Sequence, residues 1–224
     1  MPHVIDTTHF KALLFDFDGT LVDTEPIQYE AFVQTLGQYE ATYVSFAQHG
    51  TRYAGRGSRY IFTQEIERHN LKIDIEELLA KRNARYLSLV KAKGVQKMAG
   101  LDTLLERVKK LGLKLAIVSG GHKDNIFSVM GHADIPNVFD AIVSIEDVST
   151  PKPDPQGFII ALKSCHILAD QAVSFEDGLS GIAAAKAAKI GKRFAISRQL
   201  DKMQVQKADQ EAILIQDFKE LRLR

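Results

Sequence analysis

The sequence has one cysteine, no tryptophan, no long apolar run and no excess of charge of one sign. The single cysteine, Cys165, excludes an intrachain disulfide, and its apolar surroundings predict a buried thiol rather than a reactive one. No stretch approaches the length of a membrane-spanning helix. Twenty-nine Lys and Arg residues balance 28 Asp and Glu residues, so the formal net charge of +1 provides no broad attraction for nucleic acid or an anionic membrane.

The first ten residues lack the basic and apolar segments of a signal peptide. We therefore expect a cytoplasmic protein. The composition that remains, 45% hydrophobic and 25% charged residues, is typical of a globular chain. A chain of 224 residues can bury one large core, or one core and a modest insertion.

Short apolar runs with strand character alternate with helical patterns along most of the chain. The runs cover residues 12–15, 113–118, 141–145, 172–175, 193–196 and 212–215. Strands that are apolar throughout and alternate with helices are typical of a parallel sheet covered by helices on both faces. The sequence therefore predicts an α/β fold with a doubly wound, Rossmann-like parallel sheet.

Residues 25–92 interrupt this alternation. They contain no convincing strand, but three apolar patterns with helical spacing, around Phe32, Phe62 and Leu78. A stretch of this length between the first two strands far exceeds an ordinary connection. We therefore predict an inserted helical module, with a discontinuous core built from residues 1–24 and 93–224.

Acidic side chains follow two of the predicted strands. Asp16 and Asp18 follow the first strand in the string Asp-Phe-Asp-Gly-Thr, and Glu176 and Asp177 follow the fourth. Ligands of open α/β sheets bind at the carboxyl ends of the strands, so we expect these carboxylates to converge. Such a concentration of negative charge requires a cation. Oxygen ligands with room for water and phosphate oxygens favour Mg²⁺.

Two other strand ends carry groups that can bind an anion. Ser119 follows the second strand and precedes Gly120, so a hydroxyl and an unhindered backbone N–H are available there. Lys152 lies between two prolines after the third strand, which restricts its position. Taken singly, an ordinary turn or an exposed loop explains each pattern at least as well. Of seven scattered histidines, only His122 is expected near these motifs.

Together, these motifs resemble the four signature motifs of haloacid-dehalogenase-like hydrolases, in the family's order and over essentially the whole chain. The motifs are Asp16-Phe-Asp18-Gly-Thr20, Ser119, Lys152 and Glu176-Asp177. The insertion resembles the family's alpha-helical cap, which implies a cap at residues 25–92 on a catalytic core of residues 1–24 and 93–224. The string Leu-Val-Asp-Thr-Glu-Pro is similar to the subgroup of beta-phosphoglucomutase, phosphoglycolate phosphatase and sugar phosphatases. One departure is Lys189, which replaces a common glycine.

The resemblance implies a Mg²⁺-dependent phosphatase of a small phosphorylated metabolite, either a sugar phosphate or a phosphoglycolate-like ester. Asp16 would be the nucleophile that forms an aspartyl-phosphate, and Asp18 would serve as acid and then base. The phosphate would be bound by Ser119, Gly120, Lys152 and the N–H of Asp18. The metal would be bound by Asp16, the carbonyl oxygen of Asp18, and Asp177, with Glu176 close by.

The cap is expected to contact the leaving group. The candidate residues are Arg56, Arg59, Arg82 and Gln28. The first two follow a glycine-bracketed turn, although solvated arginines at a helix start explain that pattern almost equally well. We expect no partner beyond the small-molecule ester, and a monomer or weak homodimer.

Two alternative functions remain open. Phosphomutases of the subgroup resemble this chain at Thr24 and near Arg82, but they carry a His where this chain has Gln28, so we favour hydrolysis. The other alternative is a non-catalytic binding module of the same fold, which the complete set of catalytic carboxylates and the lysine disfavours.

Overall fold

A computed structural model of the chain describes residues 2–53, 57–198 and 200–224. The strands are β1 (His3–Ile5), β2 (Ala12–Phe15), β3 (Val22–Asp23), β4 (Gln96–Lys97), β5 (Lys114–Val118), β6 (Ala141–Val143), β7 (Ala172–Glu176), β8 (Lys192–Ile196), β9 (Ile213–Ile215) and β10 (Leu221–Leu223). The α-helices are α1 (Glu25–Gly37), α2 (Phe46–Tyr53), α3 (Ser58–His69), α4 (Ile75–Lys93), α5 (Leu101–Lys110), α6 (Lys123–His132), α7 (Gln156–Cys165), α8 (Leu179–Ala187) and α9 (Lys202–Ala208).

Within the described residues, six strands form one parallel sheet in the order β6-β5-β2-β7-β8-β9. These are the six predicted strands, and the α/β prediction is confirmed. Strand β2 lies between β5 and β7, so that Phe15 pairs with Ile117 on one side and with Phe175 on the other. The chain order reverses at this point of the sheet. In doubly wound sheets, such a reversal opens a crevice at the carboxyl ends of the strands.

Both faces of the sheet are covered, because successive side chains of a strand point to opposite sides. Leu13 and Phe15 of β2 belong to a hydrophobic cluster with α5 and α6, whereas Ala12 and Leu14 belong to a second cluster with α7 and α8. The thiol of Cys165 is buried in the second cluster, as predicted. Most residues of the central strands are therefore apolar because the sheet is covered on both sides.

All regular structure in the described residues between 25 and 92 is helical. Helices α1, α3 and α4 correspond to the three predicted patterns, whereas α2 was not predicted, because its sequence is largely polar and its Phe46 is exposed. The insertion has its own hydrophobic cluster, which includes Phe32, Phe62 and Leu78. Its two ends lie next to each other, where β3 and β4 pair antiparallel.

These features support our proposal that residues 25–92 form a cap on a core of residues 1–24 and 93–224. Helices α1 and α4 connect the two parts, since Ile27 and Tyr86 belong to the large cluster of the core. Among the described helices, none has both the length and the apolar character required to span a bilayer.

Candidate active site

The ammonium group of Lys152 bonds to groups at the carboxyl ends of three strands, β2, β5 and β7. Its Nζ donates to Oδ1 of Asp16 at 2.7 Å, to Oε1 of Glu176 at 2.7 Å and to the carbonyl oxygen of Val118 at 2.8 Å. Burial alone would lower the pKa of Lys152, but the charges of Asp16 and Glu176 outweigh burial and raise the pKa. The lysine is therefore charged, and each of its three protons has an acceptor.

Three carboxylates meet at this point, from the ends of β2 and β7. Asp16, Glu176 and Asp177 each place one carboxylate oxygen within 4.8 Å of the others. Burial raises the pKa of Asp177 well above its usual range, and the charges of Asp16 and Glu176 raise it further. Burial also raises the pKa of Glu176, against the opposing charge of Lys152. One lysine therefore leaves negative charge that a cation would compensate.

The surroundings of these carboxylates fit a small, hard cation. Gly19 has a φ of +77°, and a Cβ atom there would overlap the carboxylate of Asp177. A Cβ atom on Gly181 would likewise overlap the carboxylate of Glu176. The two glycines thus allow the acidic side chains to pack against bare backbone. The carboxylate oxygens are ligands of the kind that Mg²⁺ prefers.

The carboxylate of Asp18 is not part of this cluster, and it is bonded towards the inserted helices instead. Thr24 donates to Oδ1 of Asp18 at 2.6 Å, and the hydroxyl of Tyr86 donates to the same oxygen at 3.4 Å. Gln28 donates to the hydroxyl of Thr24 at 3.1 Å, and Arg82 donates to the amide oxygen of Gln28 at 2.9 Å. A continuous chain of donors therefore runs from Arg82 to Oδ1 of Asp18.

The environment of Asp18 differs from that of Asp16. Burial raises the pKa of Asp18, and the charge of Asp16 adds to the rise, while the hydrogen bond from Thr24 partly opposes it. Oδ2 of Asp18 faces the loop after β5, where a Cβ on Gly121 would lie 3.6 Å from it.

Ser119 and Gly120 lie in the same cleft, as the resemblance implied. The backbone N–H of Ser119 extends the sheet by donating to the carbonyl of Val143 at 2.8 Å. The hydroxyl of Ser119 accepts a hydrogen bond from the N–H of Gly121 at 2.9 Å. Its own proton therefore remains available for donation to a bound anion.

The predicted cap residues differ in depth. Arg82 is buried, lies over the rings of Phe32 and Tyr86, and its Nε has no hydrogen-bond partner in the described part of the chain. Gln28 lines the cleft beside it. Arg59 lies at the rim with a 59% exposed side chain and forms a 2.6 Å ion pair with Glu76. Arg56 lies outside the described residues.

Several residues in the wall of the cleft were not predicted to contact a ligand. They are Glu25, His49, Tyr53, Asn83, Tyr86 and Asn125. The expectation that only His122 lies near the motifs is wrong, because His49 lines the cleft as well as His122. Tyr86 belongs to an apolar stripe in the sequence, which indicates burial but not the bond from its hydroxyl to Asp18. The position of His49 depends on tertiary packing, for which no local sequence signal exists.

The cleft has a volume of about 900 Å³ and lies between the inserted helices and the carboxyl edge of the sheet. This volume lies in the range of sites that hold small ligands. It brings Asp16, Asp18, Ser119 and Lys152 to one wall, with Gln28 and Arg82 on the other. Such a cavity can enclose a small molecule while the catalytic groups contact one end of it.

Comparison with known proteins agrees with this geometry. The family model described as haloacid dehalogenase-like hydrolase matches residues 13–195. The phosphorylated carbohydrates phosphatase of Thermotoga maritima is 28% identical over 191 residues, which cover 85% of this chain and 87% of that protein. The phosphoglycolate phosphatase of Colwellia psychrerythraea is also 28% identical, over 187 residues, covering 80% and 81%.

A solved structure shares the fold. The beta-phosphoglucomutase of Clostridium difficile superimposes with a TM-score of 0.76 at 19% identity, covering 95% of this chain and 93% of that protein. The predicted resemblance to this subgroup is confirmed, as is the prediction of a hydrolase. With the motifs assembled in one cleft and the family model matching most of its length, the chain belongs to the haloacid dehalogenase-like hydrolase family.

Proposed function

We propose that this protein is a Mg²⁺-dependent phosphatase that hydrolyses a small phosphorylated metabolite through an aspartyl-phosphate on Asp16. The observation that carries the proposal is that two neighbouring carboxylates, those of Asp16 and Asp18, have different hydrogen-bond partners. Asp16 is held by Lys152 in an acidic cluster, whereas Asp18 accepts hydrogen bonds from Thr24 and from Tyr86 of the inserted helices. Two carboxyl groups in different environments are suited to different roles, one as nucleophile and one as acid.

In the first step, Asp16 attacks the phosphorus atom. The attacking carboxylate is the one that Lys152 holds through Oδ1. The bond from phosphorus to the alcohol oxygen breaks, and Asp18 gives its proton to that oxygen. In the second step, Asp18 takes a proton from water, and the water oxygen attacks phosphorus. The bond between phosphorus and the Asp16 oxygen breaks, which gives inorganic phosphate and the free Asp16 carboxylate.

The remaining groups bind charge. Ser119, the N–H of Gly120 and the N–H of Asp18 would bind phosphoryl oxygens and stabilise the charge that develops in the transition state. Lys152 would join them by exchanging one of its three acceptors for a phosphoryl oxygen. Mg²⁺, which Asp16, Asp177 and the carbonyl oxygen of Asp18 would hold with Glu176 close by, would neutralise the carboxylate and the phosphoryl group when bound. The neighbouring carboxylates support this assignment of ligands.

The substrate class that we propose is a sugar phosphate or a phosphoglycolate-like ester. The 900 Å³ cleft supports a small molecule, and the matched relatives include phosphatases of both classes. Gln28 and Arg82 are the cap residues best placed to act near the reacting end, because they connect to Asp18 through Thr24. Arg59 can contact only a substrate that extends to the rim.

The experiment is an assay of phosphate release from p-nitrophenyl phosphate and from sugar phosphates with Mg²⁺. Asp16→Asn should reduce turnover to background, whereas Asp170→Asn, which lies on an exposed turn away from the cleft, should retain it. Asp18→Asn should reduce turnover of alkyl esters by about 10²-fold or more, and turnover of the nitrophenyl ester less, because nitrophenolate leaves without an acid.

The same assay tests the alternatives. Conversion of a sugar 1-phosphate to a 6-phosphate without release of phosphate would establish a phosphomutase and overturn the proposal. A protein that binds phosphate esters but turns none of them over would be a binding module. Equal losses for both ester types in Asp18→Asn would exclude Asp18 as the acid of the first step.

A further inference from the structure

Two asparagine side chains meet across the cleft, and the mechanism above uses neither. Nδ2 of Asn125, on α6 of the core, donates to Oδ1 of Asn83, on α4 of the inserted helices, at 2.6 Å. In the other direction, Nδ2 of Asn83 lies 3.5 Å from Oδ1 of Asn125, which is longer than a typical hydrogen bond. Both residues line the cleft and are partly exposed. The pair therefore presents its amide groups to a molecule that the cleft encloses.

The mutual contact uses only part of the hydrogen-bonding capacity of the two amides. An asparagine side chain has two N–H donors and an oxygen with two lone pairs. Among the described residues, the side chains of Asn83 and Asn125 bond only to each other. Each amide therefore keeps at least one N–H and one lone pair for a ligand. A donor and an acceptor that lie side by side suit a hydroxyl group, because a hydroxyl both accepts and donates.

The pair lies about one helical turn from groups that contact Asp18. On α4, Tyr86 follows Asn83 by three residues, and its hydroxyl donates to Oδ1 of Asp18 at 3.4 Å. On the opposite wall, Gly121 precedes Asn125 by four residues, and a Cβ atom on Gly121 would lie 3.6 Å from Oδ2 of Asp18. In the proposed mechanism, Asp18 protonates the ester oxygen. The amides are therefore placed beside the part of the leaving group that adjoins this oxygen.

The neighbouring positions on both helices are apolar. Leu79 lines the cleft one turn before Asn83, and Ile126 and Val129 line it after Asn125. A leaving group without hydroxyl groups can pack on these side chains, but it would also cover the free donors and acceptors of the amides. Covering a polar group without a replacement for its bond to water is unfavourable. The two amides therefore disfavour a plain alkyl ester and favour an ester with a hydroxyl at this position.

We propose that Asn83 and Asn125 together bind a hydroxyl group of the leaving group, one from each wall of the cleft, so that the enzyme selects phosphate esters of polyhydroxy alcohols over esters without hydroxyl groups. This inference rests on the proposed phosphatase activity and narrows its substrate class. The two amides determine specificity, because they contact the leaving group and are separate from the groups that bind the phosphoryl group.

The test compares two esters of similar size, a hexose 6-phosphate and cyclohexylmethyl phosphate, whose ring carries no hydroxyl. The measured quantity is the ratio of kcat/KM for the sugar ester to kcat/KM for the plain ring ester. In wild type the ratio should be about ten or more, because two hydrogen bonds distinguish the esters. Asn83→Leu and Asn125→Leu are nearly isosteric, and each should lower the ratio about three- to tenfold. The control, Asn137→Leu in an exposed loop of the core, should leave the ratio unchanged.

A double variant that combines Asn83→Leu with Asn125→Leu separates recognition of the substrate from the contact between the two walls. Two leucines can pack against each other across the cleft, so the contact is replaced while both amides are lost. If the amides bind a hydroxyl, the ratio in the double variant should be at least as low as in either single variant. If the pair only joins the inserted helices to the core, the single variants should slow both esters equally and the double variant should recover both. That result would overturn the subsite.

Thermal denaturation checks that the variants fold. Asn83→Ala, which adds no bulk, replaces a leucine variant that does not unfold cooperatively, and the same fall in the ratio is expected. A wild-type ratio near one, or an unchanged ratio in the folded variants, would overturn the subsite while leaving the phosphatase intact. A wild-type protein that hydrolyses neither ester would instead overturn the proposed function.

Discussion

The side-chain amides of Asn83 and Asn125 bond to each other across the cleft. Asn125 on α6 donates to the amide oxygen of Asn83 on α4 at 2.6 Å, and Asn83 approaches Asn125 at 3.5 Å in return. Both residues line the cleft, one from the inserted helices and one from the core. This pair therefore stabilises the arrangement in which the inserted helices lie against the sheet.

Asn125→Ala should weaken the contact between the inserted helices and the core, because it removes the hydrogen-bond partner of Asn83. The lost hydrogen bond corresponds to about 1 kcal/mol of stabilisation. Amide hydrogens of α4 should exchange several-fold faster, and KM should rise by a similar factor. Hydrogen exchange measured by mass spectrometry, together with steady-state kinetics, checks both effects. Asn137→Ala, in an exposed loop of the core, is the matched control and should change neither. Unaltered exchange in Asn125→Ala would show that the pair does not stabilise the contact between the inserted helices and the core.

The carboxylates around Asp177 are expected to make activity dependent on Mg²⁺. Chelation should abolish activity, and Mg²⁺ should restore it. Calcium should bind but support little turnover, because its looser coordination misplaces the nucleophile. At a Mg²⁺ concentration of about one hundred times Kd, the folded protein should gain about 2.7 kcal/mol of stability.

The variant Asp177→Asn should differ from wild type in stability in opposite directions with and without Mg²⁺. Without metal it should be more stable than wild type, because a buried carboxylate is removed from beside Asp16 and Glu176. With Mg²⁺ it should be less stable, because a ligand is lost. Thermal denaturation with and without chelator measures both, and Asp170→Asn is the neutral control. A variant that gains the same Mg²⁺ stabilisation as wild type would show that Asp177 is not a ligand.

Much of the fold and of the catalytic centre could be predicted because both depend on short, regular patterns. Apolar strands such as residues 12–15 keep their character only when both faces of a sheet are covered, and the acidic residues follow strand ends that must converge. Strands β1, β3, β4 and β10 were not predicted, because two or three residues show no periodicity. Ile145, predicted at the end of a strand, lies in a 3-10 turn instead.

The cap side of the cleft was less predictable for a different reason. Tyr86 is buried, as its place in an apolar stripe indicated, but only the packing of α4 against the core brings its hydroxyl to Asp18. His49 reaches the cleft because α2 packs against Tyr29 and Phe32 of α1. Contacts of this kind depend on tertiary structure, and the spacing of residues in the sequence does not encode them.

The hydroxyl of Thr24 is expected to influence proton transfer by Asp18. Thr24→Val is nearly isosteric and removes both the 2.6 Å bond to Asp18 and the acceptor of Gln28. We expect kcat for alkyl phosphates to fall about tenfold, since a lost hydrogen bond to a charged group corresponds to at least that factor. Turnover of p-nitrophenyl phosphate should fall less. Thr24→Ser keeps the hydroxyl and should restore most of the activity, whereas equal losses in the valine and serine variants would point to packing instead.

Lys189 adopts a backbone conformation that favours glycine, the residue that it replaces in the family pattern. Its φ is +59°, at the end of α8, where Lys189 and Ile190 donate to the carbonyls of Lys186 and Ala185. A side chain in the left-handed region costs about 1–2 kcal/mol. Lys189→Gly should therefore stabilise the protein by about 1 kcal/mol in urea denaturation. Lys186→Gly, inside the same helix and also exposed, should destabilise it by about 1 kcal/mol. Changes of the same sign in both variants would contradict this account.

The buried imidazole of His49 should make stability depend on pH. Its pKa is lowered by burial to about 4 in the folded protein, against an ordinary value of 6.5. Below pH 6.5 the unfolded chain takes up a proton that the folded protein resists, so the free energy of unfolding should fall as the pH falls from 6.5 towards 4. Between pH 8 and pH 5 this single group should account for about 2 kcal/mol.

Comparison with His49→Gln isolates this contribution from that of the acidic cluster, whose raised pKa values act in the opposite direction over the same range. Urea denaturation at pH 8 and pH 5 gives the loss of stability for each protein. Wild type should lose about 2 kcal/mol more than His49→Gln. His132→Gln, whose side chain remains in water whether the chain is folded or not, should follow wild type. Equal losses in wild type and His49→Gln would mean that His49 accepts a proton in the folded protein as readily as in the unfolded one.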